Sequence, residues 1–146
     1  MLKARLLSFH DFVGRYTPWW VLFMRLCLGF IFANIGANKL MHLADTTDFF
    51  RSLGIPFPHA QAIFASSVEF IGGLFLMLGL ATRIVVVFLS VIMGVAIVTA
   101  QLQDVHGLID LVGLQEWDYL IIFGFFGFYG AGAMSVDRII RSYLSK

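Results

Sequence analysis

Residues 84–100 read IVVVFLSVIMGVAIVTA, an apolar run without an ionisable side chain. A helix needs about 20 mostly apolar residues to cross roughly 30 Å of hydrocarbon. In a medium without water only helices and closed barrels satisfy their backbone groups, and this run lacks the period-2 alternation of barrel strands. Three more stretches have the same character, at about Pro18–Leu40, Ala60–Leu80 and Trp117–Val136. The expected fold is therefore all-α. We read it as a four-transmembrane-helix antiparallel bundle in a single integral membrane domain covering residues 1–146, with approximate spans 18–40, 60–80, 84–100 and 117–136.

Composition agrees. Apolar residues make up 60% of the 146 and charged ones 13%, against about 45–50% and about 25% in ordinary globular chains. A soluble domain of this size cannot hide that excess, so lipid is its solvent. The net charge of +1 argues against nucleic acid as a partner. A single cysteine, Cys27, excludes an intrachain disulfide and a C-x-x-C redox pair, and reads as a small packing residue. No cleavable targeting segment is expected, because the first apolar stretch is interrupted by Arg25 and lacks a small-x-small cleavage site.

The short link Ala81-Thr82-Arg83 makes spans two and three an antiparallel hairpin. The first connection carries Asp45, Asp48, Arg51 and the turn-like Gly54-Ile55-Pro56-Phe57-Pro58. The link from Gln101 to Glu116 holds Asp104, Asp110 and Glu116 but no Lys or Arg. Cationic flanks are retained in the cytoplasm. With the amino end inside, Lys3, Arg5, Arg15, Arg83, Arg138, Arg141 and Lys146 are inner, against Lys39 and Arg51 outer. Both termini are thus expected to be cytoplasmic. Trp19, Trp20 and Trp117 open spans one and four, where aromatic belts belong.

Two charges interrupt the spans: Arg25 in the first and Glu69 in the second. A charge at mid-bilayer costs about 2.5–3.5 kcal/mol on insertion scales, so each needs a sheltered face. At 100° per residue Arg25, Gly29, Phe32, Ala33, Gly36 and Lys39 share one stripe of the first helix, with Asn34 and Asn38 roughly opposite. Ser66, Glu69, Gly72 and Gly73 share a face of the second, and Ser90, Gly94 and Gln101 one of the third. Small residues permit close approach in lipid, so these faces are expected to meet inside the bundle. At a rise of 1.5 Å per residue Arg25 lies about 9 Å and Glu69 about 20 Å from the inner boundary. Either the two pair and fix helix register, or Arg25 reaches the inner headgroups while Glu69 turns to Lys39 or carries a proton. The competing explanation is a substrate, proton or quinone site, since intramembrane ionisable groups mark functional sites more often than other residues do.

Weaker signals are His42, His59 and His106, which fall near the outer boundary without the tight spacing of a metal site, so no metal is expected. Phe123-Gly124-Phe125-Phe126-Gly127-Phe128-Tyr129-Gly130-Ala131-Gly132 alternates aromatic and small residues, with Gly127 and Ala131 making a small-xxx-small packing step. Asn34 and Asn38, at i and i+4, mark a possible second interface, for a second copy or a partner subunit.

The order Arg25-x-x-x-Gly29-x-x-Phe32-x-x-x-Gly36-x-x-Lys39, Gly54-x-Pro56, then Glu69-x-x-Gly72-Gly73 with Leu78-Gly79-Leu80-x-Thr82-Arg83 resembles the DoxX family of small bacterial and archaeal membrane proteins. The tail pattern of that family is Gly-Pro-Gly, a basic residue, then Ser-Leu-Asp. Here it stands as Gly130-Ala131-Gly132-Ala133-Met134-Ser135-Val136-Asp137, without the proline and the basic residue. The resemblance implies a multi-pass protein of the cell (inner) membrane linked to respiratory or redox chemistry. By motif it points to Arg25, Lys39, Glu69 and Arg83 as substrate-binding positions, with no catalytic residue assigned. The implied function is a subunit of a membrane oxidoreductase system that binds quinone or a small sulfur or phenolic compound in the bundle. Glu69 would exchange a proton or accept a hydrogen bond, and Arg25 or Lys39 would hold an anionic or carbonyl group. The alternatives are a non-catalytic scaffold docking an oxidoreductase partner, or a small oligomeric transporter. No buried His pair and no dithiol is present to carry electrons.

Overall fold

The computed structural model describes residues 2–101 and 105–145, with side chains described from residue 14 onward. Of the charges counted for orientation, the side chains of Lys3 and Arg5, and Lys146, lie outside the described residues, as does Asp104. Among the described residues every regular element is helical: α1 Leu2–Met41, α2 Leu43–Ser52, α3 Pro58–Leu78, α4 Thr82–Ala96, α5 Leu108–Val112, α6 Gln115–Tyr129 and α7 Val136–Leu144. A π-helical turn, Ile97–Gln101, prolongs α4. Gly14–Met41, Pro58–Leu78 and Thr82–Gln101 are each long and apolar enough to cross a membrane. This is a membrane protein.

The expected fourth span through Val136 is not met as such. The helix stops at Tyr129, and at 15 residues it is about 22 Å long, short of the hydrocarbon thickness. Gly130 and Gly132 stop it with φ of 85° and 80°, conformations that side chains rarely adopt. The residues beyond become a loop and then α7. That helix puts Val136, Ile139, Ile140, Tyr143 and Leu144 on one face and Asp137, Arg138, Arg141 and Ser142 on the other.

Two connections gain structure that the sequence reading left as links. The chain after α1 turns at His42 into α2, which packs on α3 with Thr47 buried and its hydroxyl 3.3 Å from His59 Nδ1. Helix α3 ends in a Schellman turn: Gly79 takes φ 68°, and Leu80 N–H reaches back 2.9 Å to the Phe75 carbonyl. The expected α3–α4 hairpin follows at once.

One apolar core joins α1, α3, α4 and α6 through Phe32, Leu76, Val86, Leu89, Phe123 and Phe126. Phe32 meets Tyr119 edge-on at 4.9 Å between ring centroids and Phe123 at 5.1 Å. The closest helix contact is between α1 and α3. A Cβ on Gly73 would overlap the backbone of Ala33 and Gly29, and one on Gly36 the backbone of Phe70 and Ser66. The glycine faces of spans one and two therefore meet as expected. Span three departs from expectation. Its buried face is Thr82, Val85, Val86, Leu89 and Met93, while nothing lies within 4 Å of a Cβ placed on Gly94. Branched side chains filling the space against α6 decide that orientation. Cys27 is also displaced from its expected packing role, lying exposed on the outer side of α1.

Gly73→Val is expected to destabilise the protein by about 1–3 kcal/mol or more, because it overpacks a backbone contact that cannot yield. Gly94→Ala is expected to be neutral or to stabilise by up to about 1 kcal/mol through helix propensity. Thermal unfolding in mild detergent compares the two.

Candidate functional site

The first helix carries its two buried-face cations at opposite ends. Arg25 and Lys39 are 14 residues apart in sequence, which is about 21 Å along a helix. They build two separate polar centres.

Arg25 is 2% exposed. Its Nη1 donates to the Ala131 carbonyl and its Nη2 to the Met134 carbonyl, the latter at 2.6 Å. The guanidinium lies close against Gly79, where a Cβ would come within 2.5 Å of Nη1. Around it, Asp137 N–H donates 3.0 Å to the Gly79 carbonyl. The Asp137 carboxylate accepts from the N–H groups of Ala81, at 2.7 Å, and Thr82, at 3.1 Å. A carboxylate on the open first N–H groups of α4 neutralises the positive end of that helix. It also holds Ala81 in its left-handed conformation, φ 48°, which is costly for a residue with a Cβ. Ser135 caps α7 by accepting from Arg138 N–H and donates 2.8 Å to the Gly132 carbonyl. Arg25 thus does not pair with Glu69; it closes a clasp between α1, the α3–α4 turn and the chain leaving α6.

Glu69 is fully buried on α3, and its Oε1 accepts from Lys39 Nζ at 2.8 Å. The Lys39 side chain keeps 35% of its surface. It opens on a cleft of about 480 Å³ lined by Asn38, Lys39, His42, Asp45, Thr46 and Phe49 with its neighbour Phe50. Glu69 Oε2 and the hydroxyl of Ser66, one helical turn away, are both buried without a hydrogen-bond partner. Buried polar atoms are paired in the great majority of structures, so two orphans on one helix face leave acceptor capacity for something further.

The four positions singled out by motif therefore separate. Lys39 and Glu69 come together, Arg25 belongs to the clasp, and Arg83 is exposed beside it, donating 3.3 Å to the Phe128 carbonyl. Sequence reasoning missed the Ala131 and Met134 carbonyls as partners of Arg25, and Asp137, Ser135 and Gly79 as the residues that build the turn around it. The signal was present in Gly-x-Gly followed by Ser-x-Asp after an apolar run, a helix stop and a new cap. His42 bonds the Asn38 carbonyl at 3.0 Å, His59 faces Thr47, and no group of three metal-ligating side chains forms among the described residues.

The DoxX family model matches residues 20–102. The chain is 37% identical over 101 residues to "Putative oxidoreductase CatD" of Bacillus subtilis (strain 168), covering 69% of this chain and 70% of that protein. It is 32% identical over 139 residues to "Inner membrane protein YphA" of Escherichia coli (strain K12), covering 90% and 97%. No solved structure matches. The matched region contains Arg25, Lys39, Glu69 and Arg83; Asp137 lies beyond it.

Arg25→Leu is expected to release residues 130–135 from α1, seen as faster hydrogen exchange there, and to destabilise the fold by about 3 kcal/mol or more, since the carbonyls it binds stay buried. Asp137→Ala is expected to cost about 0.5–2 kcal/mol through the lost acceptors on the first N–H groups of α4, measured by thermal unfolding, without affecting the Lys39–Glu69 end.

Proposed function

The chain belongs to the DoxX family, and from that premise we propose that it is an inner-membrane subunit of an oxidoreductase system that takes a small carbonyl, phenolic or sulfur-oxyanion compound, a quinone included, at the Lys39–Glu69 pair. The observation that carries this reading is the unpaired Glu69 Oε2 and Ser66 hydroxyl behind a half-exposed lysine. The Lys39 ammonium offers a cation and further N–H donors to an oxygen entering from the cleft. The free Glu69 oxygen can accept a hydrogen bond from a hydroxyl or take up its proton. Both groups are held by close backbone packing rather than by flexible loops, which suits a preorganised site.

In this reading the chain binds and exchanges protons while its partner carries electrons. The names of the two relatives, "Putative oxidoreductase CatD" and "Inner membrane protein YphA", support a link to oxidoreductase chemistry and the inner membrane. The same reading has α1, α3, α4 and α6 all crossing the bilayer, with both termini cytoplasmic and α7 lying along the inner surface.

Asn34 and Asn38 favour a second reading, an assembly partner without catalysis, because both amides point outward from α1 beside exposed Phe30 and Ile31. Carboxamides facing acyl chains need partners from another chain.

Protein extracted in gentle detergent is expected to retain a quinone or phenolic compound detectable by mass spectrometry. Glu69→Gln and Lys39→Met are each expected to lower its affinity about tenfold or more, a charged hydrogen bond contributing about 1.5–3 kcal/mol. Protein that retains no small molecule, binds no added quinone and brings down a stoichiometric subunit lost in Asn34→Leu would replace the first reading by the second.

A further inference from the structure

A second cleft, of about 530 Å³, opens at the opposite end of the spans from Lys39, between the α3–α4 turn, the chain after α6 and α7. Three guanidinium groups line it: Arg83, Arg138 and Arg141. None of them takes part in an ion pair among the described residues. The single carboxylate in the wall, Asp137, is committed to the N–H groups of Ala81 and Thr82 and faces the Arg25 centre. Arg83 is held in place by its bond to the Phe128 carbonyl. The cleft is thus cationic and partly preorganised, with guanidinium forks suited to phosphate oxygens.

Its setting identifies the occupant. The rim contains Ile84, 63% exposed, and Tyr129, 48% exposed, at the point where α4 and α6 enter the apolar layer. Below it, α7 turns an apolar face of Ile139, Ile140, Tyr143 and Leu144 outward, all of them exposed among the described residues. A helix of that kind lies in the plane of the membrane surface. The arginines therefore stand at headgroup level, above an apolar wall open to acyl chains. Basic pockets between helices at this level bind anionic headgroups.

We propose that this cleft binds the phosphate of an anionic phospholipid, with Arg138 and Arg141 on the phosphate oxygens, Arg83 closing from the α4 side and the acyl chains running down past Ile84 and Tyr129. The lipid would tie α7 to the α3–α4 hairpin beside the exposed apolar face of α7. This site is independent of the Lys39–Glu69 pair.

Native mass spectrometry of the full chain in mild detergent tests it, with added phosphatidylglycerol against phosphatidylcholine. Wild-type protein is expected to retain phosphatidylglycerol in preference, and the Arg138→Gln/Arg141→Gln double variant to lose about tenfold or more of that retention. Arg138→Lys/Arg141→Lys is expected to restore part of it, and Arg51→Gln, on the far side, to change nothing. Inorganic phosphate provides the second arm. Raised melting temperature with phosphate in wild type but not in the double variant, without lipid preference, would transfer the site to a soluble phosphate and overturn the lipid assignment. Equal retention of both lipids by folded wild type and double variant, with no phosphate effect, would overturn the site altogether. Glu69→Gln leaves these readouts unchanged if the two sites are independent, so failure here is distinguishable from failure of the quinone reading.

Discussion

Helices α1 and α3 touch backbone to backbone at Gly29, Gly36 and Gly73, and the placement of every buried charge depends on that contact. In lipid there is little hydrophobic force between helices, so dispersion between closely fitted surfaces has to hold them together. Glycine removes the side-chain layer and lets the axes approach. Once they do, Lys39 faces Glu69 at one end of the pair and Arg25 faces the α3–α4 turn at the other. A side chain at any of the three positions would widen the gap and leave a charge without a partner in a medium that cannot solvate it.

The two polar centres solve this desolvation problem differently. Arg25 is bound by neutral carbonyls, at a loop where the backbone has left the helix and its acceptors are free. The arrangement ties three parts of the chain that are distant in sequence, and the positive φ at Gly79, Gly130 and Gly132 is what turns the backbone toward it. Glu69 is bound by a countercharge that retains contact with its surroundings. Each centre keeps a buried polar atom without a partner, Nε of Arg25 at the first and Oε2 of Glu69 at the second, but only the second is an acceptor on a carboxylate.

Surface chemistry divides along the same axis. Apolar side chains such as Phe30, Val87, Phe88 and Val98 stand outward along α1 and α4, where acyl chains rather than water receive them. Exposed Arg83, Arg138 and Arg141 gather at the α3–α4 turn and on α7, while Arg51 stands on α2 beside Asp48. The glycines that end α6 convert an apolar stretch long enough to suggest continuous crossing into a short helix and a separate amphipathic one.

Much of the fold was legible in the sequence because hydrocarbon imposes a simple rule: apolar runs of sufficient length with backbone groups paired internally become helices. Membrane character, the α3–α4 hairpin and the glycine faces of the first two spans follow from residue type and a 100° periodicity alone. The partner of each charge did not, since Arg25 and Glu69 are separated by a vertical offset that a long side chain can bridge or decline, and only the course of the chain after Tyr129 brings carbonyls to Arg25. Nor did the end of α6, where local glycine conformation outweighs apolar composition, or the outward turn of Gly94, where the volume of Val86 and Leu89 against α6 outweighs small-residue packing. Composition and period determine what enters the membrane; which buried groups meet is decided by three-dimensional packing, because that depends on offsets of a few ångströms that no spacing along the chain records.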